Sequence, residues 1–288
     1  MRTIPASELI INADGSIFHL HVKPEQLATT IILVGDPERV TMIASHFDSI
    51  ECEVSSREFH TITGMYKGKR LSCVSHGIGP DNIDIVVTEL DALVNVDFAT
   101  RTEKPEHTTL SLVRIGTSGG LQDISPVGTY VVSKYSMGFD GVLNYYKTPE
   151  GMLEMGMEKA FCSHVNWGAR LMAPYCVKAD EELVERIGFD MVKGITIAAP
   201  GFYGPQGRYV RAPLAFPDLN EKIMSFEYQG DVITNFEMES SMVAGLGKLL
   251  GHKAMTVCAI IAGRVAKNMN TDYKGSIEGL VAKVLERI

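Results

Sequence analysis

Several common features are missing from this chain, and each gap excludes something. Only five cysteines occur among 288 residues, an odd number with no C-x-x-C pair. That argues against a disulfide framework or a cysteine zinc site. Several of the five lie in apolar runs and read as reduced core residues of a cytoplasmic protein. Basic charge is scarce too. A formal net charge of −8 leaves no general basic face for nucleic acid or for an anionic membrane surface. No apolar run approaches transmembrane length, and none follows a basic N-terminus in the manner of a signal peptide. The histidines are dispersed and H-E-x-x-H is absent, so no metal is expected.

What is present is an alternation of short apolar runs with helical patterns. Thr30–Val34 predicts a buried strand, and Pro37 opens a helix with Val40, Ile43, Ala44 and Phe47 at helical spacing. The segments 59–66 and 70–76 flank Lys67-Gly-Lys as a hairpin. Asp81 or Asn82 would cap a helix carrying Ile83, Val86, Val87, Leu90 and Leu93. Further strands are predicted at 110–115, 127–133, 192–199, 232–236 and 253–262, with helices at 152–165, 180–187, 238–250 and 276–288. The pattern predicts an α/β fold, layered α/β/α with a mixed central sheet. No linker-like composition divides residues 1–288, which read as one domain.

Ligands of such sheets usually sit beyond strand ends. Arg39, Arg114 and Arg208 fall at or just past three of them. Arg114 follows an apolar run and needs an anion to offset its burial. Gly116, Gly119 and Gly120 after it read as a turn whose bare backbone would face that anion. An arginine about 4 Å from a phosphate contributes roughly 4 kcal/mol at an effective dielectric of 20. The preceding Gly35-Asp-Pro-Glu-Arg39 has neither the Walker lysine nor G-x-G-x-x-G, so a phosphate loop and a plain structural turn both stay open. Glu237 and Glu239, two apart, do not share a helix face; they are either dipole partners of a helix start or ligands of a vicinal diol. Gln206 and Arg208 offer an amide and a guanidinium that complement a uracil edge, or belong to an ordinary loop.

Five stretches then occur in a familiar order: Gly35-Asp-Pro-Glu-Arg39, Ser75-His-Gly-Ile-Gly79, Arg114-Ile-Gly-Thr-Ser-Gly119, Phe202-Tyr-Gly-Pro-Gln-Gly-Arg208 and Glu237-Met-Glu-Ser240. Together they resemble the nucleoside phosphorylase family with the hexameric bacterial type of fold, its uridine-cleaving members in particular. The resemblance spans roughly residues 18 to 264. It implies phosphorolysis of uridine, with deoxyuridine or thymidine as further substrates, in pyrimidine salvage. By position it gives Gly35, Arg39, Arg114 and Thr117 to inorganic phosphate, the co-substrate, with Arg57 reaching the phosphate of a neighbouring subunit. Met238 and Glu239, beside Glu237, would hold ribose, and Phe18 and His19 the 5′-hydroxyl side of a partner's site. Phe202, Gln206 and Arg208 would contact the base, with Ile261 and Ala262 lining its pocket. The family assembles as a dimer or as a hexamer built of dimers.

No organic cofactor is implied. Glu58 matches the glutamate of an interface monovalent-cation site, but Asn82 stands where a serine is expected, so that cation is left unassigned. Purine-cleaving relatives carry an aspartate where this chain reads Ala262-Gly-Arg264, which disfavours purines. A nucleosidase would leave Arg39, Arg57 and Arg114 without an anion, and a nonenzymatic nucleoside sensor is the remaining alternative.

Overall fold

The computed structural model describes residues 2–263 and 267–288. Its residues group into two compact units. The first runs to Val113 and takes back Leu250–Lys253; the second comprises Arg114–Leu249 and Ala254–Ile288.

The first unit is built on β1 (Thr30–Val34), α1 (Pro37–Ala44), β2 (Ser49–Ser56), β3 (Phe59–Tyr66), β4 (Lys69–Ser75) and α2 (Pro80–Asn95), followed by the short pair β5 (Val96–Asp97) and β6 (Thr102–Glu103). Its strands lie in the order β2-β3-β4-β1, with β1 parallel to β4 and the others antiparallel. Asp36 caps α1 by accepting from the Glu38 N–H at 2.9 Å, and Pro37 takes the first helical position, where its missing N–H is harmless. All five expected apolar positions of α2 are fully buried. Its start differs from expectation, because neither Asp81 nor Asn82 is the cap. Gly79 is, at φ 101°, a backbone shape glycine adopts without strain. Pro80 next to it was the usable signal. The β3–β4 hairpin turns on Lys67 and Gly68, both at positive φ, as a two-residue turn between twisted strands requires.

The second unit contains most of β7 (Ser111–Gly120), then β8 (Tyr130–Gly138), α3 (Met155–Val165), β9 (Tyr175–Lys178), α4 (Glu181–Ile187), β10 (Val192–Ala198), α5 (Leu219–Met224), β11 (Glu227–Tyr228), β12 (Asp231–Glu237), α6 (Ser240–Leu249), β13 (Lys253–Gly263), β14 (Asn268–Met269) and α7 (Lys274–Arg287). Strands β8, β10 and β12 are mutually parallel, so the residues following them emerge at one edge. The path β12-β10-β8-β13-β7 closes on itself, since β7 also pairs with β12 through Gly120↔Asn235 and Gly119↔Phe236. Against the sheet packs a cluster that includes Met137, Phe161, Ile195, Ile197, Phe226 and Phe236.

The expected glycine turn after Ile115 is not a turn. Strand β7 continues through Gly120, and Arg114 lies inside it. Two of the glycines are needed for close approach instead. A Cβ on Gly116 would lie 2.8 Å from Arg114 Nη1, and one on Gly120 would lie 2.0 Å from the Ser125 carbonyl oxygen. Because backbone cannot retreat as a side chain can, Gly120→Ala should destabilise the protein by about 3 kcal/mol. Chemical denaturation against the parent checks this; an unchanged midpoint would show that the Ser125 turn yields freely.

Candidate active site

The strongest chemistry of the second unit gathers around Arg114. Its side chain is 4% exposed, and its guanidinium pairs with Glu237 at 2.8 Å and also with Glu239. Those carboxylates are the anion that the buried arginine called for. Burial opposes the charge on Arg114, yet the two glutamates outweigh it and hold the guanidinium pKa above the ordinary arginine range. Gly116, lacking a side chain, leaves room for the guanidinium to lie back along the strand. Cys258 of β13 stands against Nη1, and burial pushes that thiol up to about 12, so it is a neutral wall, not a nucleophile.

Glu237 and Glu239 share the strand-to-helix corner but not a task. Glu237 ends β12 and accepts from the Glu239 N–H (2.9 Å), the Ser240 N–H (3.0 Å) and the Ser240 hydroxyl (2.6 Å). It therefore closes the N-terminus of α6, where a carboxylate meets otherwise unpaired amides and the positive end of the helix dipole. Of the two readings open for Glu237, this is the one its contacts fit. Glu239 projects from the residue before α6 and is 5% exposed, while Met238 between them is half-buried.

Sequence reasoning overlooked a second tie at this corner. Asp140, just beyond the end of β8, accepts from the Tyr175 hydroxyl at 3.0 Å and the Ser241 hydroxyl at 3.1 Å. Burial raises the Asp140 pKa, with its hydrogen bonds working against that rise. The strand expected at 127–133 in fact runs on to Gly138, so a rule applied at its expected end did not reach Asp140.

The loop after β10 carries the base candidates. Gln206 is 3% exposed, and its Oε1 accepts from Arg208 Nη1 at 2.6 Å. The Arg208 guanidinium lies 3.6 Å from the centroid of the half-exposed Phe202 ring and also donates to the Phe202 carbonyl. Amide, guanidinium and ring thus form one assembly. Beside it lies a cavity of about 580 Å³ whose walls include Phe139, Trp167, Tyr203, Pro205, Arg208 and Phe216. Thr117, Ile261 and Ala262 are all partly exposed. Arg264 lies outside the described residues.

In the first unit Gly35 and Arg39 bracket the start of α1, with Gly35 packed close to Gly77 and His76. Arg57 is at the two-residue hairpin between β2 and β3 with φ 55°. Glycine or asparagine would suit that backbone better, so the arginine stands there against local preference. Its guanidinium sits 5.6 Å from the Phe18 ring centroid, and Phe18 meets His19 edge-on at 4.8 Å. His19 Nδ1 is 2.6 Å from Glu89 Oε1. The three residues expected to act on a neighbouring subunit form one patch.

Among the described residues, Asp91, His107 and His252 bring possible metal-ligand atoms within 4.8 Å of one another. The Leu110 N–H donates to His252 Nδ1 at 3.2 Å, which leaves the proton of the neutral ring on Nε2, 3.1 Å from Asp91 Oδ1. Held this way, Nε2 carries its proton and offers no lone pair to a metal.

The chain is similar to the uridine phosphorylase of Thermococcus kodakarensis, 29% identical over 258 residues that cover 88% of this chain and 79% of that protein. It is likewise similar to the uridine phosphorylase of Escherichia coli, 28% identical over 278 residues, 94% and 96% of the two chains. A solved Trypanosoma brucei nucleoside phosphorylase, described as showing uridine phosphorylase activity, superposes with a TM-score of 0.87 at 28% identity over 97% and 98% of the chains. A sequence model of the Phosphorylase superfamily matches residues 29–288, and the chain belongs to that superfamily.

Proposed function

We propose that this protein is a uridine phosphorylase, converting uridine and inorganic phosphate to uracil and ribose 1-phosphate in pyrimidine salvage. The observation that carries the base is the Gln206–Arg208 pair. Arg208 donates to Gln206 Oε1, and that oxygen has a second lone pair for an incoming N–H, while the amide nitrogen and the guanidinium donate to carbonyls. Uracil presents that sequence of groups: carbonyl, N–H, carbonyl. The relatives' activities support the same reading.

In the proposed reaction a phosphate oxygen bonds to C1′ as the C1′–N1 bond breaks, and the electron pair leaves with uracil, which takes a proton from solvent. No covalent enzyme intermediate is required. Gly35, Arg39, Arg57, Arg114 and Thr117 are assigned to phosphate, and Met238 and Glu239 to ribose. Phe202, Gln206 and Arg208 take the base, with Ile261 and Ala262 along its pocket. Glu237 is reassigned from substrate to holding Arg114 and the start of α6. Positioning and electrostatic stabilisation of the departing uracil anion supply the rate. The minimal assembly is a homodimer in which Phe18, His19 and Arg57 serve the neighbouring subunit's site. No helix among the described residues is long and apolar enough to cross a membrane, which is consistent with cytoplasmic work. No metal or organic cofactor enters the scheme.

One observation favours a second reading, hydrolysis by water. Arg114 already meets two carboxylates, so its charge alone does not demand phosphate. Release of free base from uridine, 2′-deoxyuridine, thymidine and inosine, each with and without phosphate, decides between them. Phosphate-dependent uracil release with ribose 1-phosphate as co-product is expected. Equal cleavage without phosphate would establish the hydrolytic reading, and strong inosine turnover with none on uridine would overturn the base assignment.

A further inference from the structure

The two carboxylates on Arg114 pose a problem for any phosphate that is to touch it. The guanidinium is 4% exposed between Glu237 and Glu239. The three side chains together carry one net negative charge. At equal distance and dielectric, a carboxylate repels phosphate as strongly as a guanidinium attracts it. Phosphate therefore gains little from Arg114 unless one carboxylate withdraws. Glu237 is poorly suited to withdraw, because the Glu239 N–H, the Ser240 N–H and the Ser240 hydroxyl all donate to it at 2.6–3.0 Å. Moving it would expose the amides at the start of α6.

We propose that Glu239 is exchanged between two partners, and that the exchange couples the two substrates. With no nucleoside bound, Glu239 holds Arg114. When the ribose hydroxyls arrive they take the Glu239 carboxylate, and the face of Arg114 it covered becomes available to phosphate. Each substrate then favours the conformation that the other needs, so the two bind with positive cooperativity. Linkage requires the same factor in both directions. The exchange rests on the uridine phosphorolysis reading for the identity of the diol, but the competition of Glu239 with an oxyanion for Arg114 does not. Glu239 contacts substrate in this scheme, whereas Glu237 is a positioning residue that keeps Arg114 in place throughout.

Sulfate serves as an unreactive stand-in for phosphate, so both equilibria can be measured by calorimetry at constant ionic strength held with chloride. In the wild-type protein uridine should bind on the order of tenfold more tightly at saturating sulfate than without it, and sulfate should gain the same factor from uridine. Glu239→Gln should bind sulfate alone more tightly than the wild type, because a competing charge is gone, and the mutual enhancement should fall to about one. Enhancement retained in Glu239→Gln, or sulfate binding there no tighter than in the wild type, would overturn the exchange. Absence of uridine binding to the wild type would instead strike the uridine reading, and the sulfate comparison would still decide whether Glu239 competes for Arg114. The wild-type measurements need no variant to fold, and independent, non-cooperative binding in them would also overturn the proposal.

Discussion

Arg114→Ala should lose about a thousandfold in kcat/KM for uridine and, separately, about 3–5 kcal/mol of stability. The two losses have different causes. Activity falls because a buried, charge-assisted donor to phosphate disappears, and single donors of this type are worth two to three orders of magnitude. Stability falls because Glu237 and Glu239, 4% and 5% exposed, are left without their counter-charge, and breaking one side of a buried ion pair is more damaging than removing the whole pair. A triple variant, Arg114→Met with Glu237→Gln and Glu239→Gln, separates the causes. Denaturation should show most of the stability restored, whereas initial rates should stay as low as in Arg114→Ala or lower. If instead Arg114→Ala kept its rate while losing stability, Arg114 would be a structural ion-pair partner and phosphate would be held elsewhere.

Arg208→Ala is expected to lower kcat for uridine by about a hundredfold with a smaller change in KM. The reason is where charge develops. In the nucleoside the uracil carbonyls are neutral; as C1′–N1 breaks, negative charge spreads onto them, so the guanidinium contributes more in the transition state than in the bound nucleoside. The leaving group provides an internal check. 5-Fluorouracil is the more acidic base and needs less help to depart, so the Arg208→Ala deficit should be clearly smaller with 5-fluorouridine than with uridine. Equal deficits for both substrates would mean that Arg208 only binds the base. Gln206 is subject to a related constraint, because its oxygen is oriented by the same arginine. Part of the loss in Arg208→Ala would come from an amide free to turn.

Much of this arrangement could be read from the amino-acid order, and the parts that could not share a cause. β1 and the buried face of α2 follow from local apolar spacing, which needs no knowledge of partners. The residues of the Gln206–Arg208 assembly were visible because they are two apart in one loop. The partners of Arg114 were not. Burial implied that an anion must be nearby, but Glu237 and Glu239 lie more than a hundred residues later, and nothing local links them to the arginine. The glycines after Ile115 misled for a related reason. Glycine is common in turns, yet Gly116 and Gly120 answer to a guanidinium and a carbonyl that only the folded chain brings close. Glu237 had two readings, of which spacing alone leaned to the helix-start one, and the three donors converging on its carboxylate favour that reading. Cys258 and Asp140 were missed outright. One looked like any core cysteine of a buried strand, and the other lay two residues past the end of a strand that runs farther than its expected end at 133.

The pairing of β7 with β12 through Gly119 and Phe236 bears on how the site comes into being. Those contacts join segments more than a hundred residues apart, and closing so long a loop brings a large entropic toll before any contact compensates it. Arg114 is on one of the joined strands and Glu237 ends the other. Neither charge has its partner until that loop closes, so the chain must carry an unpaired guanidinium and two unpaired carboxylates through the earlier stages of folding, when water still reaches them. Desolvation of the cluster and completion of the strand ring are then one cooperative event, and a chain folded far enough to bury Arg114 is a chain in which Arg114, Glu237 and Glu239 have already met.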